Sequence, residues 1–218
     1  MQYEKVDLDV RGSSESRGRM SGEDRREAIL DVATEIFLSE GYASASMSTI
    51  AAKLGGSKGT LYNYFKSKEE LFEAYVRRHC VMQKSEIVAI LSEEGTARER
   101  LTAWARHYLK VVTGERSLSN WRVVAAESQK APDFGRIFYE SGPLLGANLL
   151  ADYLRKEGDT FVIDDYLMAA HQFLSLCNGR LSKALQLNYM PSPTEAEINE
   201  EVDAAIKVFF AAYGAQGA

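Results

Sequence analysis

Ser46 to Lys68 reads SMSTIAAKLGGSKGTLYNYFKSK. The residue types in this stretch suit anion binding rather than catalysis. From Gly41 to Lys68 there is no acidic residue, while Lys53, Lys58, Lys66 and Lys68 are all basic. Ser57 can cap a short helix running through Phe65, and the N-terminus of such a helix offers free backbone N–H groups and a dipole that favours anions. Lys58 in its first turn opposes that dipole, a mismatch that makes sense if a phosphate sits there. Tyr62, Asn63, Tyr64 and Lys66 remain as polar groups around the helix. Phe65 is expected in the core. Two tyrosines so close in one short helix cannot both be buried, which favours an external contact for Tyr62 and Tyr64 over core packing. A lysine run alone is usually a solvated face. Here it coincides with two short helices meeting at Gly55-Gly56, the arrangement of a helix-turn-helix.

Other chemistry finds little support. His79, His107 and His171 fall on different expected helices and read as core or surface residues rather than a metal or acid–base set. Cys80 and Cys177 are far apart and match no metal-ligand spacing, so both read as helical thiols of a reducing cytoplasm. Ser57-Lys58 and Ser182-Lys183 read as cap or surface pairs. No Gly-rich phosphate loop or paired-carboxylate motif occurs, and no metal, cofactor or catalytic residue is expected.

These residues need a scaffold, and the sequence describes a helical one. Apolar residues make up 45% and charged residues 26% of 218, with four prolines and no convincing alternating β pattern, so the expected fold is all-α. No apolar run approaches the ~20 residues of a membrane span, and Met1 to Met20 is too polar for a secretory signal. The net charge of −5 hides an asymmetry: the acidic excess lies largely after Val81. A local basic surface on an acidic protein suits a module that touches phosphate at one end.

Residues 1–21 are expected to be a disordered tail. Ser21 with Asp24 starts a first helix carrying Ile29, Val32, Ala33, Ile36 and Phe37, ended by Gly41. Ser46 caps a second, with Met47, Ile50, Ala51 and Leu54. Ser67 caps a fourth with Glu70 completing a capping box, and its stripe of Leu71, Phe72, Tyr75, Val76, His79 and Met82 runs to about Leu91. Five or six further helices follow, over about 96–113, 118–129, 134–139, 144–156, 164–187 and 194–213.

The ordered set Ile50-Ala51-Ala52, Gly55, Ser57-Lys58-Gly59-Thr60-Leu61-Tyr62, Tyr64-Phe65 and Ser67-Lys68-Glu69-Glu70-Leu71 resembles the DNA-binding signature of the TetR family of bacterial regulators, over about Arg25 to Arg78. Gly56 departs from it, since the family usually has a small apolar residue there. Phe138-Tyr139-Glu140-Ser141-Gly142-Pro143 is similar, more weakly, to C-terminal domains of one branch. The resemblance implies a homodimer, a three-helix helix-turn-helix DNA-binding domain over 22–68, and a helical ligand-binding and dimerisation domain over 69–218 that releases DNA on binding its ligand. It also implies that Thr49, Lys58, Thr60, Tyr62, Tyr64 and Lys68 face phosphates, that Gly59, Thr60 and Asn63 face base edges, and that Ser57, at the start of the reading helix, belongs to the same DNA-binding set. The expected partners are a palindromic double-stranded operator and a small apolar or amphipathic effector. A helical small-molecule-binding or interaction protein without DNA binding is the rival reading.

Trp104, His107, Tyr108, Trp121, Phe138, Tyr139, Phe173 and Cys177 could line a pocket or simply pack a core. The apolar stripes of 164–187 and 194–213 are wider than one buried face needs. A second face is therefore expected to close a two-fold four-helix interface through Phe173, Leu174, Leu181, Val202, Ile206, Phe209 and Tyr213, with Phe209 at its centre.

Overall fold

The computed structural model describes residues 21–129 and 132–215, without the side chains of 79–84, 87 and 132. The expected tail over 1–20, and the side-chain readings of His79, Cys80 and Met82, lie outside the described residues.

The architecture is all-α. Eleven α-helices are described: α1 Gly22–Ser39, α2 Met47–Lys53, α3 Lys58–Tyr64, α4 Lys68–Leu91, α5 Ala97–Thr113, α6 Glu115–Glu127, α7 Pro132–Ser141, α8 Pro143–Lys156, α9 Tyr166–Cys177, α10 Leu181–Gln186 and α11 Glu195–Tyr213, with one 3-10 turn over Gly158–Thr160. Extended pairing among the described residues is limited to an isolated antiparallel bridge between Phe161 and Gly214. No described helix is long and apolar enough to cross a membrane.

The starts of these helices are local chemistry. Ser21, Ser46, Ser57, Ser67, Thr96 and Thr194 each accept a hydrogen bond from the backbone N–H three residues on, satisfying one of the donors a helix start leaves open. Ser67 is only half a capping box. Its Oγ takes the Glu70 N–H at 3.1 Å, but the Glu70 carboxylate accepts from Lys66 N at 2.6 Å.

Two apolar cores form. One joins α1 to the first half of α4: Ile29, Ile36, Phe37, Ile50, Leu61, Phe65, Phe72 and Tyr75 are buried together, and Val124 of α6 and Phe134 of α7 belong to the same cluster. The other fills the space between α5, α8, α9 and α11 with Trp104, Leu150, Phe173, Val202 and Phe209 among its members. Arg78 of α4 fixes the first unit from below, donating to Glu27 at 3.0 Å, Asp31 at 2.9 Å and Thr34 at 3.2 Å, all on α1. In the second unit Arg100 Nη2 donates to both carboxylate oxygens of Glu157 at 2.7 Å, a charge-assisted link between α5 and the end of α8.

The single helix expected over 164–187 is two. α9 ends at Cys177, Asn178 and Gly179 turn the chain, and α10 begins at Leu181. The break is stabilised from a distance. Glu201, buried on α11, accepts from Arg180 N at 3.0 Å and from Arg180 Nε at 2.9 Å, supplying the acceptor that α10 lacks in its own sequence.

Candidate nucleic-acid interface and internal cavity

The turn between α2 and α3 is set by its glycines. Gly55 has φ +72°, the left-handed conformation that glycine adopts at least cost. Its N–H reaches Ala52 O and that of Gly56 reaches Ala51 O, both at 3.1 Å. This is the paired bonding of a Schellman ending. Gly56 is not left-handed, and a Cβ there would come 3.2 Å from the Arg25 guanidinium. The departure at 56 leaves room for Arg25 against the turn.

Ser57 then starts α3, accepting from Thr60 N at 3.1 Å. Leu61 and Phe65 face inward, and Tyr64 is half-buried against the same core. Lys58, Gly59, Tyr62 and Asn63 are exposed on the opposite side, with Thr49 and Ser57 exposed beside them and Thr60 half-buried. Tyr62 is 42% exposed, which agrees with an outward role for one of the two tyrosines. Gly59 is instructive. A Cβ there would meet only Ser57 Oγ, at 3.6 Å, so nothing inside the protein demands glycine at this position.

The four lysines separate. Lys53 pairs with Glu35 at 2.7 Å, and Lys66 Nζ folds back onto Tyr62 O at 3.2 Å. Lys68 points into the protein. Its ammonium donates to Tyr42 O at 2.8 Å and Ala45 O at 3.1 Å, and lies 4.0 Å from the centroid of the Tyr42 ring. Among the described residues no carboxylate pairs with Lys58, and the first turn of α3 contains no acidic residue. Arg26, whose guanidinium sits 5.1 Å from the Phe65 ring centroid, joins Arg25 at the edge of this surface. The only sequence signal for either arginine was its charge upstream of the first apolar stripe.

A cavity of about 280 Å³ opens in the second half of the molecule. Of the residues expected there, Trp104, His107, Tyr108, Trp121, Phe138 and Tyr139 line it. Phe173 and Cys177 do not: both are fully buried in the packed core behind it, where burial pushes the Cys177 thiol up to about 12. The cavity also takes in Asn120, His171, Ser175 and Asn178, which the sequence reading missed. Asn120 and Asn178 had a signal, being polar residues within otherwise apolar helical faces. Trp104 and Tyr108 stack one turn apart at 5.1 Å and 5°. Desolvation raises the Tyr108 phenol well above its ordinary range. A Glu86 carboxylate oxygen lies 3.2 Å from His107 Nε2, without the alignment of a hydrogen bond.

Cavity and helix-turn-helix share neighbours. Tyr75 OH of α4 donates to Asn120 Oδ1 at 2.7 Å, in a buried position. Phe134 stacks on Phe72 at 4.1 Å and lies 4.4 Å from Tyr42. One turn further along α7, Phe138 lines the cavity.

The expected interface anchors need correction. Phe173, Leu181, Val202 and Phe209 have no exposed surface in the single chain, and Leu174 and Ile206 have almost none. A side chain already sealed within its own chain has no surface left for a partner to cover. Phe209 packs instead on Phe161, Phe173 and Tyr213. Only Tyr213 of the set is partly open.

Residues 29–75 match the family described as bacterial regulatory proteins of the tetR family, and residues 99–215 match the C-terminal domain of AefR-like transcriptional repressors. The HTH-type transcriptional activator FasR of Mycolicibacterium smegmatis is 36% identical over 92 residues, 42% of this chain and 42% of its own length; the chain thus spans less than half of that relative. A TetR-family transcriptional regulator from Mesorhizobium loti superposes with a TM-score of 0.83 at 27% identity, covering 90% of this chain and 100% of its own. The flavonoid-responsive regulator FrrA superposes at 0.74 with 32% identity, over 89% and 100%. With a helix-turn-helix at one end and an AefR-like helical unit over more than half its length, the chain belongs to the TetR family of DNA-binding transcriptional regulators.

Proposed function

We propose that the protein is a homodimeric repressor that reads a palindromic operator with the exposed face of α3 and lets go of it when a small apolar or amphipathic effector fills the cavity. The observation that carries the DNA-reading assignment is the face formed by Lys58, Gly59, Tyr62 and Asn63. It is exposed, is cationic with no carboxylate paired to Lys58 among the described residues, and has a glycine that packing does not require. Close approach of a backbone or base edge gives that glycine a reason. Thr49, Thr60 and Tyr64 sit at the edges of the same face and take phosphates, while Ser57 holds the helix start. Lys68 acts indirectly, by fixing the loop before α2. Repression is favoured over activation by the AefR-like repressor match of residues 99–215. An effector is favoured by the aromatic cavity and by the flavonoid response of a structural relative.

The dimer uses α9 and α11 through their outward sides. Met168, Gln172, Val208 and Ala212 are exposed there, and Tyr213 OH donates to Gln172 between the two helices. A two-fold axis on that surface presents two reading helices to half-sites about one helical turn, ~34 Å, apart or slightly more. Selection of duplexes from a random pool by the purified protein tests the reading. A recovered palindrome, bound with a steep salt dependence, is the expected result; non-palindromic or salt-insensitive recovery would refute it.

A further inference from the structure

We infer that each reading head has a second DNA contact, a basic arm ahead of α1 that lies in the minor groove next to the half-site, with Arg17 and Arg19 turned to its floor. This goes beyond the reading face of α3 and rests on the operator reading proposed above.

The head itself fixes where such an arm leaves it. The first turn of α1 stands against α3 at two points. The Arg25 guanidinium comes within 3.2 Å of where a Cβ would stand on Gly56, the residue before the Ser57 cap. The Arg26 guanidinium lies 5.1 Å from the ring centroid of Phe65, which caps the other end of α3. The chain before Ser21 therefore joins the head about one arginine's length from the reading helix. Its direction is held there, because Ser21 and Asp24 bond reciprocally. The Ser21 N–H donates to the Asp24 carboxylate at 3.2 Å, and the Asp24 N–H donates to Ser21 Oγ at 3.0 Å. Ser21 to Asp24 are exposed, and Arg25 and Arg26 are half-buried. Among the described residues no ion pair holds Arg25, and Arg26 has Glu27 at 3.7 Å.

Charge along the arm is sorted. Residues 1–9 carry Lys5 against Glu4, Asp7 and Asp9, a net −2, while residues 10–20 carry Arg11, Arg17 and Arg19 against Glu15, a net +2. The basic part is the part next to the head. Gly12, Ser13, Ser14, Ser16 and Gly18 fill the places between these charges, and all five are small. That composition suits a slot. The minor groove is ~6 Å wide, and its potential is most negative where A·T pairs narrow it, which draws arginine in. Basic arms ahead of helical reading heads bind in this way. A contact to phosphate alone needs the charge but not the glycines and serines around it. Reach agrees. A chain advances at most ~3.6 Å per residue, which lets Arg19 and Arg17 stand up to about 7 and 14 Å from Ser21 before their side chains are counted. The adjoining minor groove is about half a helical turn, ~17 Å, from the major groove that α3 reads.

Three versions of the selected operator test the assignment. The pairs adjoining each half-site are made A·T, G·C or inosine·C, with the half-sites unchanged. Inosine·C keeps the major-groove edge of G·C but lacks the guanine amino group that the minor groove displays, so it tells which groove is read. The full-length wild type should bind the A·T and inosine·C versions similarly and the G·C version about tenfold or more weakly, as expected for unfavourable pairs at both half-sites. Arg17→Ala/Arg19→Ala in the full chain should bind all three versions alike, with its melting point and its discrimination among half-site sequences unchanged. Inosine·C behaving as G·C, or a wild type indifferent to the flanks, would overturn the inference while a specific palindrome still upheld the reading above. So would a double variant that binds more weakly but keeps the wild-type flank preference, which would leave both arginines on phosphate alone. Recovery of no specific duplex would remove both readings together.

Discussion

Lys58 and Lys68 are ten residues apart and both basic, yet Lys58 is exposed while Lys68 is half-buried and donates to Tyr42 O and Ala45 O. A pair of methionine substitutions separates the DNA contact proposed for Lys58 from the structural role of Lys68 while preserving most of the apolar stem. Lys68→Met deletes two charge-assisted hydrogen bonds, to Tyr42 O at 2.8 Å and Ala45 O at 3.1 Å, and the cation 4.0 Å from the Tyr42 ring. Hydrogen bonds to charged groups contribute about 1.5–3 kcal/mol when well buried, and a cation over a ring about 0.5–1 kcal/mol at an open site. Lys68 is half-buried, so the combined loss should be about 2 kcal/mol. For a chain of this size that corresponds to a melting point lower by about 4–8 °C at fixed protein concentration. Lys58→Met removes no hydrogen bond or ion pair found among the described residues, and it removes a charge the α3 dipole disfavours, so its melting point should not fall. Operator binding measured against salt should show the reverse. Lys58→Met should reduce the log–log slope by about 0.9 per half-site, the share of one phosphate, whereas Lys68→Met should keep the wild-type slope. If Lys68→Met instead loses slope and melts like the wild type, its ammonium belongs to DNA and the assignment to the loop carbonyls is wrong.

Asn63→Ala should cost about 1–3 kcal/mol on the selected operator and relax preference at one position in each half-site; equal weakening on random duplex would make Asn63 a backbone contact. Val208→Asp should leave the helical spectrum intact but shift sedimentation from dimer to monomer and remove operator binding, whereas Phe209→Asp should unfold the chain by placing a charge in a sealed core. A folded, dimeric Val208→Asp would take α11 out of the interface. Tyr75→Phe keeps the ring and leaves Asn120 Oδ1 without its 2.7 Å donor, a loss of about 1–3 kcal/mol on chemical unfolding; it should also shrink the response of operator affinity to any compound that fills the cavity, and an unchanged response would sever this link between cavity and reading head. Cys177, with its thiol pushed up to about 12 by burial, should resist iodoacetamide at neutral pH until denaturant opens the core, because the thiolate is the reacting form. Rapid labelling of Cys177 in the native protein would contradict its burial.

What could be read from the sequence follows the range of the interactions involved. A cap needs residues within three positions, and Ser21, Ser46, Ser57, Ser67, Thr96 and Thr194 were all legible as helix starts. The glycine turn and the outward face of α3 are likewise set within a dozen residues. The single helix expected over 164–187 was misread because α9 and α10 bury the same side, so apolar spacing runs straight through Asn178-Gly179; what holds the break is Glu201, more than twenty residues away. The interface was misread for a related reason. A wide apolar stripe records how much of a helix is covered but not by what, and α5 and α8 cover Phe173 and Phe209 before any second chain can. Lys68 shows the same limit at short range, since charge and position in the motif say nothing about which way its stem turns. The cavity was partly legible because aromatic residues mark it, but a cavity is packing left undone. Nothing local separates Leu174 and Ser175, which reach it, from Phe173 and Cys177, which do not.

The geometry of α7 makes it hard for cavity and reading head to be independent. Phe134 and Phe138 are four residues apart and lie on one side of a ten-residue helix, so they move together unless the helix breaks. Phe138 meets whatever occupies the cavity. Phe134 is wedged between Phe72 of α4 and Tyr42 of the loop before α2, and that loop is the one Lys68 ties down and Glu69 also holds, accepting from Tyr42 OH at 3.0 Å. Dispersion contacts fade quickly with distance, a gap of 0.5–1 Å losing about a quarter to a half of the attraction. A sub-ångström displacement at Phe138 therefore changes the energy of the Phe134 stack without unfolding anything. It also alters the seat of α4, whose far end enters the half that holds the cavity. In a two-fold dimer each head would be displaced in the same sense relative to the axis, so that small rotations alter the separation of the two α3 helices. DNA fixes that separation to within its groove spacing, which makes a modest change in head orientation sufficient to shift the population away from the binding-competent form.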